Sequence, residues 1–282
     1  MSSVPVVRTF CRECYSPPQA VYERLKRAGM DLVTVTDHDS IDAAEALRHY
    51  PDFFLSEEVT CRMPSGTTIH IGVYDINERQ HVEIQRRRDD LPRLLAYLRE
   101  QDLLFALKHA FSRLTGRRDP GDLDWFESAF PALEVLNGHI PPSNNQLALD
   151  VARRAGKSPL GGSDAHTLLS AGSAFTEVPG ARGHEDFIVG LKQGKGRALG
   201  EPGNGWKLTR EVFSVIGELL RERPMTWFLS PLAMVVPFAT MSQWLLELHF
   251  ARVWRRRIEN QSGTETPLLG PTGALRSREM EV

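Results

Sequence analysis

At 282 residues, with 41% hydrophobic and 25% charged side chains, the chain has the composition of an ordinary globular protein, with room for one large domain or a domain plus an appendage. A formal net charge of −2 excludes a chain-wide attraction to nucleic acid or anionic lipid. Three cysteines, Cys11, Cys14 and Cys61, are too few for a disulfide scaffold, and the first residues lack the charged and apolar blocks of a signal peptide, so the expected location is cytoplasmic.

In chain order, residues 4–7 read as a short first strand. Cys11 and Cys14 have C-x-x-C spacing, but no second pair and no thioredoxin-like flanks accompany them, so neither redox nor zinc-knuckle chemistry is expected there. Ser16 is expected to cap a helix with Pro17 at its first position, Val21, Leu25 and Ala28 on its apolar stripe and Gly29 past its end. The β-branched run 31–36 reads as a buried strand ending in Asp37-His38-Asp39, and a short helix is expected over 41–49. Residues 53–60 form the next strand, carrying Glu57 and Glu58, and 67–74 another, with His70 inside it. The charged stretch 78–101 is helical, restarting at Leu91 because of Pro92. A strand over 103–107 runs into Lys108-His109, and a short helix covers 122–128. A strand over 133–136 then ends at Asn137-Gly138, and Ser143 caps a helix through Ala155. The lead-in 157–160 stops at Gly161-Gly162, so that Asp164 and His166 project from the loop that follows.

Strands alternating with helices through Gly200 argue for a parallel α/β architecture, in which functional side chains gather at the C-terminal strand ends. Nearly every expected strand ends in, or contains, a side chain able to bind metal: His38, Glu58, His70, His109, Glu134 or Asn137, then Asp164 and His166. Asp37 is placed as an acceptor orienting an imidazole. His139, following Asn137-Gly138, is a candidate to touch substrate, whereas His49, His81, His184 and His249 read as surface or packing residues. Lys108, Arg113, Arg117 and Arg118 form a basic cluster beside His109, readable either as a solvated loop or as a phosphate clamp, with Lys108 and Arg113 the candidates for the clamp.

Taken in order, Val35-Thr36-Asp37-His38-Asp39, the Glu58 strand, Ile69-His70-Ile71-Gly72, Lys108-His109-Ala110-Phe111, Glu134-Val135-Leu136-Asn137 and Ser163-Asp164-Ala165-His166 resemble the PHP (polymerase and histidinol phosphatase) superfamily over about residues 10–200. The resemblance implies a distorted seven-stranded (β/α) barrel, α/β in class, with a C-terminal face that holds metal ions and hydrolyses phosphomonoesters or phosphodiesters with a metal-activated water. It implies His38, Glu58, His70, His109, Asp164 and His166 as ligands, Glu58 rather than Glu57 as the bridging carboxylate, and Asp37 and Asn137 behind them. The implied cofactors are divalent Zn, Mn or Fe, two ions rather than three, and the substrate is a small phosphorylated molecule, not nucleic acid. The chain departs from the family in one respect. The family's opening His-x-His would align near Pro5 and Val7, and no histidine precedes His38. Two readings follow: a degenerate module with a binding or scaffolding role, or a start codon placed downstream of the true one.

The expected domains are a metal-binding barrel over 1–200, an apolar helical appendage over 201–258 and a disordered polar tail over 259–282. Within the appendage, 206–223 reads as a helix with Leu208, Val212, Val215, Ile216 and Leu219 on one stripe. The stretch 225–250 has Glu247 as its one formal charge and is broken by Pro231 and Pro237. Broken helices packed on the barrel or on a partner are expected, with peripheral membrane contact through 225–250 as the alternative.

Overall fold

Two neighbouring antiparallel strands decide which side chains face the site. The computed structural model describes residues 16–263. The expected strand at 4–7, Cys11, Cys14, the two positions aligned with the family's histidines and the tail from 264 onward lie outside the described residues. Strand β1 (Ser56–Arg62) pairs with β2 (Thr68–Tyr74) in a register that sets Glu58 opposite Gly72 and Thr60 opposite His70. Because strand side chains alternate between faces, Glu58 and His70 share one face of the sheet, and Glu57, Val59, Cys61, Ile69, Ile71 and Val73 share the other. That second face is the core. Helices α3 (Glu78–Gln85) and α4 (Leu91–Glu100) supply Ile84, Leu94, Leu95 and Leu98 to it, all fully buried. The helical restart falls at Leu91, where the Asp90 side chain accepts the Arg93 amide hydrogen and Pro92 occupies the first turn.

The sheet continues in the order β1-β2-β3-β4-β5, with β3 (Leu104–Leu107) antiparallel to β2, and β4 (Ala132–Asn137) and β5 (Ser158–Gly162) parallel to their predecessors. Helices α5 (Asp122–Ser128) and α6 (Pro142–Arg154) make the two parallel crossovers. A second sheet pairs β6 (Ala174–Glu177) with β7 (Arg197–Gly200), and helix α7 (His184–Lys192) joins them. The first described helices are α1 (Pro18–Arg27) and α2 (Asp42–Leu47).

Two expectations need correction, and a third, the seven-stranded barrel, is not seen among the described residues. The sheet is mixed rather than parallel, because β1 and β2 form a hairpin through Pro64-Ser65-Gly66. Residues 31–36 are extended but are not a laddered strand. They touch the sheet through isolated parallel bridges at Val33–Phe53 and His38–Glu58, and the Thr34 hydroxyl donates to the Phe54 carbonyl where a backbone ladder bond would lie. The ladders among the described residues do not close into a seven-stranded ring. At the seam between the sheets, Thr176 Oγ1 accepts from the Gly161 amide and donates to the Gly161 carbonyl.

The C-terminal elements are α8 (Gly205–Glu222), a 3₁₀ segment Pro224–Val235 containing Pro231, and α9 (Val236–Gly263) with Pro237 in its first turn. They lie on the body rather than apart from it. The Lys207 ammonium donates to the Gly138 carbonyl (2.7 Å) and Ser173 Oγ (2.6 Å), and Thr209 and Thr240 share a buried hydroxyl bond of 2.7 Å between the two helices. Among the described residues no helix is long and apolar enough to cross a membrane.

Candidate metal centre

Glu58 is the hub of the site. Its Oε1 lies 2.8 Å from His70 Nδ1, 3.1 Å from His109 Nε2 and 3.9 Å from His38 Nδ1. His70 Nδ1 and His109 Nε2 are themselves 3.2 Å apart. Each arrives by a different route. His38 ends the extended segment beside β1, Glu58 and His70 share the site face of the hairpin, and His109 follows β3. His109 holds the left-handed conformation (φ 30°), which an ordinary L residue adopts at a cost, and its amide is pinned by Glu134 Oε2 at 3.0 Å.

Glu57, one residue earlier, points the opposite way. It is fully buried on the core face and accepts from His81 Nδ1 (2.9 Å) and Gln85 Nε2 (2.7 Å), both on α3. Strand alternation therefore separates two adjacent carboxylates into a site group and a packing group, and His81 proves to be the partner of the second.

A second cluster sits at the end of β5. Asp164 is also left-handed (φ 48°), and its Oδ2 accepts from Asn137 Nδ2 at 3.1 Å. Asn137 Nδ2 also donates to Glu134 Oε2 (2.9 Å), so one buried amide ties the end of β4 to both clusters. His166 and His139 stand with ring centroids 5.9 Å apart. Gly162 keeps room for this arrangement, since a Cβ there would come within 2.8 Å of Glu134 Oε1.

Charge follows geometry. Burial alone would raise the Glu58 carboxyl, but hydrogen bonds from His109 and His70 and the nearby Lys108 ammonium hold it well below the usual carboxylate range. Burial pushes His70 below the ordinary imidazole value. His109 is likewise desolvated, yet its bond to Glu58 and the surrounding carboxylates raise it overall. Asp164 is desolvated too, and the imidazoles of His166 and His109 still bring it down to about 2.

Two cavities meet here. One of about 130 Å³ is lined by His38, His70, His109, His139, Asp164 and His166 on one side. Across from them stand Leu208, Val212 and Val215 of α8 and Trp244 of α9, so the appendage roofs the site. The other, about 710 Å³, opens between residues 30–38 and β5, with His38, Glu58, Lys108, Asp164 and His166 at one end. Asp37 lines this larger cavity, and its backbone carbonyl accepts the Glu58 amide hydrogen.

The basic residues beside His109 have separate surroundings. Lys108 is buried in an ion pair with Glu134. Arg118 is buried and donates to the carbonyls of Ala110 and Thr68. Arg113 is exposed and lines neither cavity. Of the two residues read as phosphate ligands, Lys108 pairs with an internal carboxylate at the edge of the larger cavity, and Arg113 lies outside both cavities.

Two carboxylates of the appendage were not singled out for the site by sequence reasoning. Glu211 lies on the buried side of α8, lines the small cavity, and accepts from the Thr167 hydroxyl at 2.7 Å, while its second oxygen has no hydrogen-bond partner. Glu247 of α9 accepts from the Arg113 amide (2.9 Å), Asn144 Nδ2 (3.0 Å) and the Ser112 hydroxyl (3.2 Å), clasping the loop that carries His109. Each had a signal, an acid at an apolar-stripe position of a helix.

The donor set fits a dication. Ligand atoms of His38, Glu58 and His70 all lie within 4.8 Å of one another, and three imidazoles crowd one carboxylate oxygen in a buried place where a cation would balance them.

Residues 142–195, the span from α6 to the approach of β7 that contains Asp164 and His166, match the PHP-associated family model. No curated protein matches the chain by sequence. Among solved structures, the chain is similar to a two-domain protein of Bacteroides vulgatus containing a predicted PHP-like metal-dependent phosphoesterase, at 16% identity and TM-score 0.54 over 73% of this chain, and spans 66% of that protein's length. It is also similar to PsfC of Pseudomonas syringae, at 19% identity and TM-score 0.53, covering 72% of this chain and 88% of that one. At these identities the likeness is one of fold.

Proposed function

We propose that this chain is a metal-dependent phosphoesterase of the PHP superfamily acting on a small phosphate ester, a reading supported by the match of residues 142–195 to the PHP-associated family model. The observation that carries the reading is the convergence of His38, His70 and His109 on Glu58 Oε1, beside Asp164 and His166 in one cavity. His38, Glu58, His70 and His109 would hold one cation and Asp164 with His166 a second, drawn from Zn²⁺, Mn²⁺ or Fe²⁺. Such ions lower the pKa of a coordinated water and neutralise charge building on a phosphoryl group. The chain's own residues do the positioning. Asn137 holds Asp164 and Glu134 in place, Glu134 fixes the His109 backbone, and His139 faces the substrate space with its Nε2 3.1 Å from Ser170 Oγ. The roof of Leu208, Val212, Val215 and Trp244 excludes water and limits substrate size.

Purified protein loaded with Mn²⁺ or Zn²⁺ is expected to release phosphate from small monoesters or diesters in a broad ester panel. Absence of release across the panel contradicts the reading. A second reading has its own observation: residues 1–37 hold no histidine, and Pro5 and Val7 stand where the resemblance puts the family's opening pair. Fewer than one ion per chain after metal-replete purification, with no turnover of any ester, favours a degenerate binding module.

The roof yields a specificity prediction. Trp244→Ala removes an indole from a cavity of about 130 Å³, and the ratio of kcat/KM for an aromatic phosphate ester to that for a small alkyl one is expected to rise roughly tenfold. Steady-state kinetics on the two esters checks it, and an unchanged ratio places the substrate elsewhere.

A further inference from the structure

Helix α9 carries two opposed stripes. Val236, Thr240, Glu247, Ala251, Trp254 and Ile258 recur at helical spacing and are buried against the body. Met234, at the end of the 3₁₀ segment, and Phe238, Met241 and Leu245 of α9 stand 4, 3 and 4 residues apart, half a turn away from the first stripe, and are 78%, 78%, 53% and 57% exposed. At 3.6 residues per turn the same outward stripe continues to Arg252 and Arg256, both exposed. Arg255 and Arg257 flank it, also exposed. Trp206 and Trp227, 71% and 65% exposed, add indoles on the neighbouring α8 and 3₁₀ elements.

Apolar residues open to solvent in a row of this length mark an interaction surface rather than ordinary surface scatter. The charges say which partner. From 224 to 258 the one acid is Glu247, turned inward onto Ser112, Arg113 and Asn144. A second copy laid on this face would set Arg252, Arg255, Arg256 and Arg257 against Met, Phe and their own counterparts, with Glu259 at the end of the stripe the one exposed acid from 224 to 259 to answer them. Phosphate headgroups above an acyl boundary answer both halves: arginine forks pair with lipid phosphate, while Phe, Met and Leu enter the acyl region and Trp favours the boundary.

We infer that the outward face of α9 with the adjoining 3₁₀ segment is a docking surface for an anionic lipid bilayer, on which the protein rests peripherally. This inference is independent of the proposed phosphoesterase activity.

The test is sedimentation of the full chain with phosphatidylcholine vesicles, with and without phosphatidylglycerol. Binding is expected only with phosphatidylglycerol and is expected to fall at high salt. Phe238→Asp/Leu245→Asp is expected to lose it, and Arg252→Glu/Arg256→Glu to weaken it about tenfold or more, with circular dichroism matching the parent chain. Full-chain protein left in the supernatant with phosphatidylglycerol vesicles at low salt overturns the inference, as does binding that both double variants retain. A solution dimer, seen by light scattering and dissolved by Phe238→Asp without any vesicle binding, also overturns it and assigns the face to a second copy.

Discussion

Glu58→Gln is expected to abolish phosphoesterase turnover, with kcat/KM down on the order of 10³-fold or more, since a cation is worth several kcal/mol of transition-state stabilisation. The reason is local. Glu58 Oε1 is the single acceptor on which His70 and His109 converge, and an amide at that position carries no charge to hold a dication. The matched control is Glu57→Gln. Glu57 lies one residue away on the same strand, equally buried, but it faces α3 and bonds His81 and Gln85. That variant is expected to lose thermal stability while keeping its activity per folded molecule. Kinetics and thermal melts of the two variants separate the roles, and equal activity losses would mean that the faces of β1 have been misassigned.

The second large effect concerns stability. Glu247→Ala leaves the Arg113 amide and the Ser112 hydroxyl without their acceptor inside the α9 interface, while Asn144 Nδ2 keeps the Phe111 carbonyl. Unpaired buried donors cost about 1–3 kcal/mol each, so a loss of about 2–4 kcal/mol is expected from denaturant unfolding, allowing for partial rehydration. Burial raises the Glu247 carboxyl above its ordinary value, against the bonds it receives. A carboxyl raised on folding favours the folded state while protonated, and that contribution is lost as pH climbs from the unfolded value through the folded one. The gap between parent and Glu247→Ala is therefore expected to be widest below the ordinary carboxylate value and to narrow as pH rises past it. A gap that widens with pH contradicts this account.

Much of this arrangement was legible in the sequence, and the parts that were not have physical reasons. The helical stretch 78–101 with its restart at Leu91 and the short helix 122–128 were readable from Pro92 and local composition; the structure begins helices at Glu78, Leu91 and Asp122, but ends the first already at Gln85. The ordered histidines and acids pointed to one rim because they follow strand ends, and five of the six candidate ligands line the same small cavity. The choice of Glu58 over Glu57 was open to a period-two reading once His70 was placed on the partner strand. What stayed hidden was long-range. A β-branched run at 31–36 cannot reveal that its pairing is confined to two bridges, because that depends on a neighbour at Phe53 and Phe54. The ion pair that Lys108, read as a phosphate ligand beside His109, makes with Glu134, 26 residues away, was equally out of sight. Nor could an acid inside an apolar helix disclose its partner: Glu247 reads as an interruption of a hydrophobic stretch and turns out to anchor the loop of the site.

The central claim is that side chains from separate strand ends share a cation. Its most direct measurement is the metal content of the full chain, by elemental analysis after metal-replete purification and dialysis, beside that of Glu58→Gln. At least one tightly held ion per chain is expected in the parent, and a large loss in the variant. Substoichiometric metal in the parent, or equal metal in both, contradicts the account.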